Sequence, residues 1–284
     1  MHVEFDLPHS QNSIKQQAKK EGGRRLKEQN ADDADRPLIT IITAAYNVEE
    51  LILKTAESIR NQSCKTAEWI IIDGGSNDGT IDLLQKNTDV IDYWISERDG
   101  GIYDALNKGI FLAQGRYYLV LGAGDTLAPD AIEKFSQIIR ADQPDLITAW
   151  VKDGDRIIPP ARLRNRRYLW LGHNFFCSSH SVGTCIKLDL HARHGLYSHW
   201  YALLADGKFI GDVLRSKDIK YSHAEFLSGE FLGGGATHQR RYRSACEHFM
   251  IQMESGAHVV PQMALLFLRL IKASIDSTRS KFVA

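Results

Sequence analysis

The chain has 284 residues, and its 35 basic and 35 acidic side chains balance to a formal net charge of +0. A balanced chain creates no global field toward nucleic acid, so we predict no nucleic-acid partner. The hydrophobic content of 43% and charged content of 25% are those of an ordinary soluble globular protein. The cysteines are widely spread, and the sequence has neither a secretory signal nor the ~20 apolar residues of a spanning helix. We therefore expect a reduced, cytoplasmic protein.

The pattern of apolar residues changes near residue 37. Residues 1–36 are polar, which predicts a mobile tail outside the core. Further on, short apolar runs alternate with stretches of helical spacing. These predict strands at 38–42, 69–73, 90–95, 117–121 and 146–151, and helices at 48–61, 80–86, 102–113 and 129–140. Strands alternating with helices favour an α/β fold whose mostly parallel sheet is covered on both faces.

The pattern is less regular after residue 154. We assign residues 37–150 and 151–245 to two halves of one domain, and 246–284 to a helical C-terminal extension. The apolar stripe of the extension favours packing on its own domain, with a membrane interface or a homodimer contact as the alternatives. The histidines between 173 and 199 have no spacing that places them on one face, which argues against structural zinc.

The first candidate motif follows the first strand of the α/β region. It reads Thr43-Ala44-Ala45-Tyr46-Asn47. Small side chains let the backbone approach a ligand, and the ring of Tyr46 can stack on a base. The alternative is an ordinary strand-to-helix turn with Asn47 as the N-cap, which is the commoner origin of such a pattern taken alone.

Acids and glycines follow the next two strands. Asp73 begins a Gly-Gly-Ser turn and is suited to accept hydrogen bonds from a ribose or a base N–H, whereas Asp78 is better placed as a helix cap. Asp99 precedes two glycines and a helix that carries Asn107 and Lys108. A solvated amphipathic helix would also place these polar groups on one face, but the density of glycine and acid before it favours a binding site.

The fourth motif, Gly122-Ala123-Gly124-Asp125, ends the strand at 117–121. Asp73, Asp99 and Asp125 come at successive strand ends, and an open α/β sheet binds ligands at that edge. Mg²⁺ or Mn²⁺ takes few protein carboxylates together with phosphate oxygens of the substrate. Asp125 is therefore the candidate metal ligand.

In order and spacing, these four motifs resemble those of glycosyltransferase family 2, a family of inverting, nucleotide-sugar-dependent enzymes. The resemblance implies a GT-A-type, Rossmann-like mixed sheet, mostly parallel and flanked by helices. It implies that Asp73 and Asp99 hold the nucleotide or donor sugar, and that Asp125 is the metal-binding acid of an Asp-x-Asp-like motif. The full set of predicted donor-binding residues is Thr43, Ala45, Tyr46, Asn47, Asp73, Asp99, Tyr103, Asn107, Lys108 and Gly124.

The resemblance is weaker in the second half. Residues 194–197 and 204–206 are similar to the family's acceptor-side stretch, which implies that Asp206 is the catalytic base. His238, after the glycine-rich run at 233–235, is implied as a second metal contact. The sequence departs from the family at Gly124 and at Lys208, where relatives often carry acids.

The resemblance implies a metal-dependent inverting glycosyltransferase that moves a hexose from a UDP-linked sugar to a glycan or lipid-linked acceptor in surface polysaccharide assembly. It would act in the cytoplasm or at the inner face of the plasma membrane. One alternative is a nucleotide-sugar-binding protein that has lost catalysis, motivated by Gly124 and Lys208. A sugar-phosphate nucleotidyltransferase would need a Gly-rich cationic loop after strand one, and a dehydrogenase Gly-x-Gly-x-x-Gly; residues 43–47 provide neither.

Overall fold

A computed structural model of the chain describes residues 19–26, 36–160, 180–233 and 240–281, with side chains as far as residue 275. The strands are β1 Lys20–Gly22, β2 Ile39–Ala45, β3 Glu68–Asp73, β4 Tyr93–Ser96, β5 Tyr117–Val120, β6 Thr126–Leu127, β7 Leu146–Asp153, β8 Arg156–Ile158, β9 Thr184–Lys187 and β10 Tyr221–Phe231. The helices are α1 Glu49–Arg60, α2 Thr80–Lys86, α3 Ile102–Leu112, α4 Ala131–Asp142, α5 Leu190–His194, α6 Ala205–Arg215, α7 Arg241–Glu254 and α8 Val259–Lys281.

The strands form one mixed sheet in the order β1-β4-β3-β2-β5-β9-β7-β10-β6, with β8 beside β7. β2, β3, β4 and β5 are parallel neighbours, and β7 and β10 form a further parallel pair. β9 lies antiparallel between β5 and β7, so these two sets run in the same direction. The mixed, mostly parallel sheet flanked by helices confirms the predicted fold class.

The two faces of the sheet support separate hydrophobic cores. Alternate residues of each strand point to opposite faces, so Ile41 and Ile71 pack in one core with α1, α2 and α4. Ile42 and Ile72 pack in the other core with α3 and α6. These strands are buried on both faces, which explains why their sequences are continuous apolar runs.

Helix α2 has the predicted bounds, whereas β4 starts three residues later than predicted, at Tyr93. The amides of Val90 and Ile91 both donate to the carbonyl oxygen of Asn87, and this turn shortens the strand. A further difference lies in the segment predicted as a mobile tail. Lys20–Gly22 is an edge strand that pairs antiparallel with β4, so residues 20–22 belong to the sheet.

The helical C-terminal extension is present as α7 and α8, and it begins at Arg241 rather than at residue 246. α8 leaves an apolar face exposed at Val260, Met263, Phe267, Leu268, Ile271 and Ile275. Among the described residues, no helix combines the length and apolarity needed to cross a bilayer.

Candidate functional site

A cleft of about 1070 Å³ lies at the carboxyl ends of the parallel strands. Strand register brings these ends together, because Ala45 of β2 lies opposite Asp73 of β3, and Asp73 lies opposite Ser96 of β4. One wall is formed by backbone and side chains of the loops that follow β2, β3, β4 and β5, and the other by residues 199–203 and Arg240. The cleft occupies the usual ligand position of an open α/β sheet.

The first motif contributes to the cleft through its middle residues. Ala45 and Tyr46 line it, and the Tyr46 side chain is 61% exposed and available for stacking. Thr43 is buried inside the sheet, where its hydroxyl donates to the carbonyl oxygen of Leu121 (2.8 Å) and accepts from Trp69 Nε1 (2.9 Å). Thr43 therefore does not line the cleft but joins β2 to Leu121 and Trp69 inside the sheet.

Asn47 joins two loops instead of capping a helix. Its φ is 51°, in the left-handed region that asparagine tolerates. Its amide donates to Ser76 Oγ (2.7 Å), and its Oδ1 accepts from the amide of Asn77 (2.9 Å). Val48 occupies the N-cap position of α1, so the alternative expectation of an Asn47 cap is wrong.

The Asp73 carboxylate is fully buried beneath its own loop. It accepts from the amides of Gly75 (3.0 Å) and Ser76 (2.9 Å) and from the hydroxyl of Ser96 (2.7 Å). These bonds fix the turn that presents Gly74 and Gly75 to the cleft. Asp73 thus shapes the loop after β3, whose backbone lines the cleft at Gly74 and Gly75.

Asp78 bonds to the first amide of two helices, although Gly79 occupies the N-cap position of α2, so the predicted cap lies one residue away from it. Its Oδ1 accepts from the amide of Thr80 (3.0 Å), the first residue of α2, and its Oδ2 from that of Glu49 (3.2 Å), the first of α1.

Asp99, in contrast, lines the cleft and accepts from the amide of Gly101 (2.9 Å). Burial raises the pKa of Asp99, and the neighbouring carboxylates of Asp104 and Asp73 raise it further.

Asp125 lies just behind the cleft wall and is 5% exposed. Its Oδ1 accepts from the amide of Leu232 (2.9 Å), while Oδ2 faces the bare Cα of Gly122, which lines the cleft. Burial raises the pKa of the Asp125 carboxyl to about 6. Hydrogen bonds from backbone amides oppose this effect only in part.

The backbone conformation at Gly124 favours glycine. Its φ is +93°, and a Cβ there would lie 2.6 Å from Leu232 Cδ2. Its amide donates to Thr55 Oγ1 (2.8 Å), which anchors the turn. The positive φ would strain any other residue at this position, and the exposed Leu232 side chain would have to move aside, so the geometry of this turn favours glycine over an acid.

The residues around Asp125 are compatible with one kind of metal site. Within the described part of the chain, no three His, Cys, Asp or Glu side chains cluster as metal ligands would. Asp125 instead offers a single hard oxygen beside the cleft, which fits Mg²⁺ or Mn²⁺ completed by water and diphosphate oxygens. His238, the second predicted metal contact, lies outside the described residues.

Helix α3 connects the cleft to the second half of the chain. The Tyr103 hydroxyl, in the cleft wall, donates to Asp206 Oδ1 (2.8 Å), which also accepts from the amide of Gly207 (2.8 Å). Asn107 is buried, and its side-chain amide pairs with both backbone groups of Tyr197 (2.9 and 3.0 Å). Lys108 does not itself line the cleft, and it pairs with Glu97 (3.0 Å) and with Asp104 (3.6 Å), which is a lining residue. Asn107 and Lys108 therefore hold the scaffold in this structure.

The structure adds cleft residues that the sequence did not single out. Arg98 and Arg240 bring positive charge to the lining, and His199, Tyr201, Ala202 and Leu203 form the second wall. Arg98 is adjacent to Asp99 and belonged to the third motif. Residues 199–203 precede α6 in an irregular segment without periodicity, so only the tertiary fold reveals their position.

Comparison with known proteins agrees with this architecture. A model of the glycosyl transferase family 2 domain matches residues 40–184. The chain is 32% identical over 130 residues to an uncharacterized glycosyltransferase of Mycobacterium tuberculosis, covering 45% of this chain and 49% of that protein. It is 37% identical over 102 residues to a putative teichuronic acid biosynthesis glycosyltransferase, TuaG of Bacillus subtilis, covering 35% and 40%. The matches span about half the length of these curated relatives.

Solved structures share the fold at low sequence identity. Staphylococcus aureus TarS 1–349 in complex with UDP superposes with a TM-score of 0.58 and 13% identity, over 82% of this chain and 70% of that one. The mannosyltransferase PcManGT of Pyrobaculum calidifontis, in complex with GDP-Man and Mn²⁺, gives 0.60 and 18%, over 92% and 81%. Because the family model matches just over half of the chain, the protein belongs to glycosyl transferase family 2.

Proposed function

We propose that this protein is an inverting glycosyltransferase that moves a hexose from a UDP-linked sugar to a glycan or lipid-linked acceptor in polysaccharide assembly. The observation that carries the proposal is one carboxylate in the cleft lining and a second carboxylate behind it, bonded to a lining residue. Asp99 lines the wall at the strand ends, and Asp206 is hydrogen-bonded to Tyr103 in the same lining. Names of relatives support the context, since one is a "PGL/p-HBAD biosynthesis glycosyltransferase" and another is assigned to teichuronic acid biosynthesis.

The donor would lie along the strand ends. We assign Tyr46 to stacking on the base, the backbone of Gly74 and Gly75 to close contact with the nucleotide, and the cations Arg98 and Arg240 to the diphosphate. Asp125 would hold Mg²⁺ or Mn²⁺, which when bound neutralises charge on the leaving diphosphate. The UDP in the TarS structure supports the nucleotide, and the Mn²⁺ in the mannosyltransferase structure supports the metal.

Asp206 would act as the general base. Both hydrogen bonds that it accepts from the described residues end on Oδ1, which leaves Oδ2 to take the proton of an acceptor hydroxyl. The hydroxyl oxygen then bonds to the anomeric carbon from the face opposite the nucleotide, and the bond to the diphosphate oxygen breaks. This displacement inverts the anomeric centre without a covalent enzyme intermediate.

The alternative of a binding protein without catalysis rested on Gly124 and Lys208. The positive φ and the crowding by Leu232 account for Gly124. Lys208 pairs with Asp212 (2.7 Å) on α6 and with Glu254 (3.7 Å) on α7, and it does not line the cleft. Neither residue therefore favours loss of activity.

The proposal is tested by donor binding followed by transfer. A thermal-shift panel of UDP-, GDP- and dTDP-sugars, with and without Mn²⁺, should show metal-dependent stabilisation by a UDP-sugar. Asp206→Asn should abolish transfer to an acceptor and leave this stabilisation intact, whereas the control Asp212→Asn on the same helix should retain transfer. Stabilisation by GDP-mannose alone would overturn the UDP assignment, and turnover by Asp206→Asn would remove that residue as the base.

We place the protein at an anionic lipid surface, which it would contact through the exposed apolar face of α8. Several large apolar side chains are exposed together on this face, among them Phe267 at 65% exposed. A continuous apolar patch of this kind indicates an interaction surface, whereas single exposed apolar residues do not. Residues 241–275 of the α7–α8 hairpin also hold more basic than acidic side chains, with Arg241, Arg243, Arg269 and Lys272 against Glu247 and Glu254. Two copies would bring like charges together, whereas anionic lipid attracts them.

A further inference from the structure

A carboxylate from the C-terminal hairpin holds the second wall of the cleft. Glu247, in the middle of α7, is 4% exposed. Its Oε1 accepts from the amide of Ala202 (3.1 Å), and its Oε2 accepts from the amides of Leu203 (2.9 Å) and Leu204 (3.1 Å). Three successive backbone amides therefore converge on one buried side chain. Ala202 and Leu203 line the cleft directly.

The three-amide arrangement requires an acid. An ionised carboxylate only accepts, so both of its oxygens can meet N–H groups at once. A glutamine would turn an NH₂ group toward one of these amides and leave that buried donor unpaired. Arg243, one turn earlier on α7, donates to Glu247 Oε1 (2.9 Å) and balances its charge.

The amides that Glu247 binds immediately precede the proposed base. Leu204 is the N-cap residue of α6, and Asp206 lies in the first turn of that helix. Glu247 binds the amide of this N-cap residue and those of the two residues before it, so it fixes the path by which the chain enters the helix. The position of Asp206 against the Tyr103 hydroxyl therefore depends on the segment that Glu247 holds.

We propose that Glu247 is a positioning residue that aligns the second wall of the cleft and the Asp206 carboxylate with the donor. This inference rests on the proposed glycosyl transfer. Among the described residues, the hydrogen bonds and the ion pair of Glu247 go to residues 202–204 and Arg243 and not to the strand-end loops of the donor wall, so its effect should fall on transfer and not on donor binding. A displacement of a reacting group by about 1 Å is enough to lower a rate by about 100-fold.

The test compares Glu247→Gln with Glu57→Gln, the same chemical change at an exposed position of α1. In Glu247→Gln we expect kcat for transfer to fall by about 100-fold while the UDP-sugar dissociation constant changes by less than about threefold. Glu57→Gln should behave as wild type. Equal kcat in the two variants, or donor affinity that falls in step with kcat, would overturn the proposal.

Hydrogen exchange provides a readout that does not need turnover. The amides of residues 202–204 should exchange about tenfold faster or more in Glu247→Gln, with the strands β2 to β5 unchanged. If Glu247→Gln does not fold, Glu247→Asp, which keeps the charge and shortens the reach, should show both effects in weaker form. Unchanged exchange at 202–204 overturns the positioning role by itself. Faster exchange in a protein whose wild type transfers no sugar would instead show that the proposed function is wrong.

Discussion

At the scale of single residues, Asp125 links stability to the proposed metal chemistry. Its folded-state pKa of about 6 lies above the ordinary value of 3.8, because burial disfavours the charged form. The folded protein therefore holds this proton more tightly than the unfolded chain, and the stability that results is lost as the pH rises through about 6. At neutral pH the carboxylate is ionised, and its burial lowers the stability of the folded protein unless a cation is bound.

Replacing this carboxylate should therefore stabilise the metal-free protein. Asp125→Asn should raise the free energy of unfolding by about 1–3 kcal/mol at pH 8 and by much less at pH 4. Urea unfolding at the two pH values, in the presence of a chelator, measures the difference. Mn²⁺ should stabilise the wild type in the presence of UDP, and this response should disappear in the variant.

The control is Asp82→Asn, which neutralises an exposed acid on α2 and should change stability little at either pH. A stability gain in Asp125→Asn that is the same at both pH values would contradict the burial argument. A retained Mn²⁺ response would remove Asp125 as the metal ligand.

Gly124 permits a comparison of backbone strain with steric crowding. Gly124→Ala should lower the free energy of unfolding by about 2–4 kcal/mol, because both the positive φ and the contact with Leu232 oppose a side chain. Gly154→Ala is the matched control: its φ is +58°, but nothing lies within 4 Å of its Cβ position. It should cost about 1 kcal/mol. Equal losses in the two variants would show that crowding by Leu232 is unimportant.

Motif residues are easier to locate in the sequence than to assign to roles. Asp73 and Asp99 both follow strands and precede glycines, yet one is enclosed by its own loop and the other lines the cleft. The difference depends on hydrogen bonds between loops far apart in the chain, such as that from Ser96 to Asp73. Spacing within one motif contains no information about such partners.

At the scale of elements, α3 should be the point at which the two halves of the chain are joined. Asn107→Leu leaves the backbone amide and carbonyl of Tyr197 without partners in a buried site, which should cost about 2–4 kcal/mol. Lys108→Ala removes a partly exposed ion pair with Glu97 and should cost less than about 1 kcal/mol. Thermal unfolding measures both losses.

Donor binding decides what these two residues do. If Asn107 and Lys108 hold the scaffold, as their contacts indicate, folded samples of both variants should bind the UDP-sugar with wild-type affinity. A large loss of affinity in a well-folded Lys108→Ala protein would restore the donor-binding role that the family resemblance implies.

The predicted elements between residues 37 and 150 match the structure because each has enough apolar residues to show its period. α1 and α3 each complete about three turns, and β2 and β3 are continuous apolar runs. Some of the missed elements are too short for this signal, but α6 and β10, with 11 residues each, were also missed, because glycines and polar residues interrupt their apolar patterns. β1 has three residues and β9 four, and both are held by pairing with distant strands.

At the scale of the whole molecule, the exposed face of α8 should bring the protein to anionic vesicles. Wild type should float with phosphatidylglycerol vesicles at low salt and not with phosphatidylcholine vesicles. Phe267→Asp should weaken this partition about tenfold or more, since it places a charge where the phenylalanine ring would enter the lipid. Phe111→Asp, at an exposed phenylalanine on α3, is the control and should bind as wild type. Dimerisation in solution that Phe267→Asp abolishes would identify a second copy as the occupant instead.

The order of strands in the sheet determines how this protein could be recombined with relatives. β9 and β10, which come late in the chain, lie beside β5, β7 and β6, which come early. A junction near residue 150 would cut through β7 and separate strands that must pair across it. A fragment that stops at residue 184 should therefore not fold alone. To exchange acceptor preference between relatives, the sheet should be kept intact and the loop at 195–204 swapped together with α7, the helix that carries Glu247.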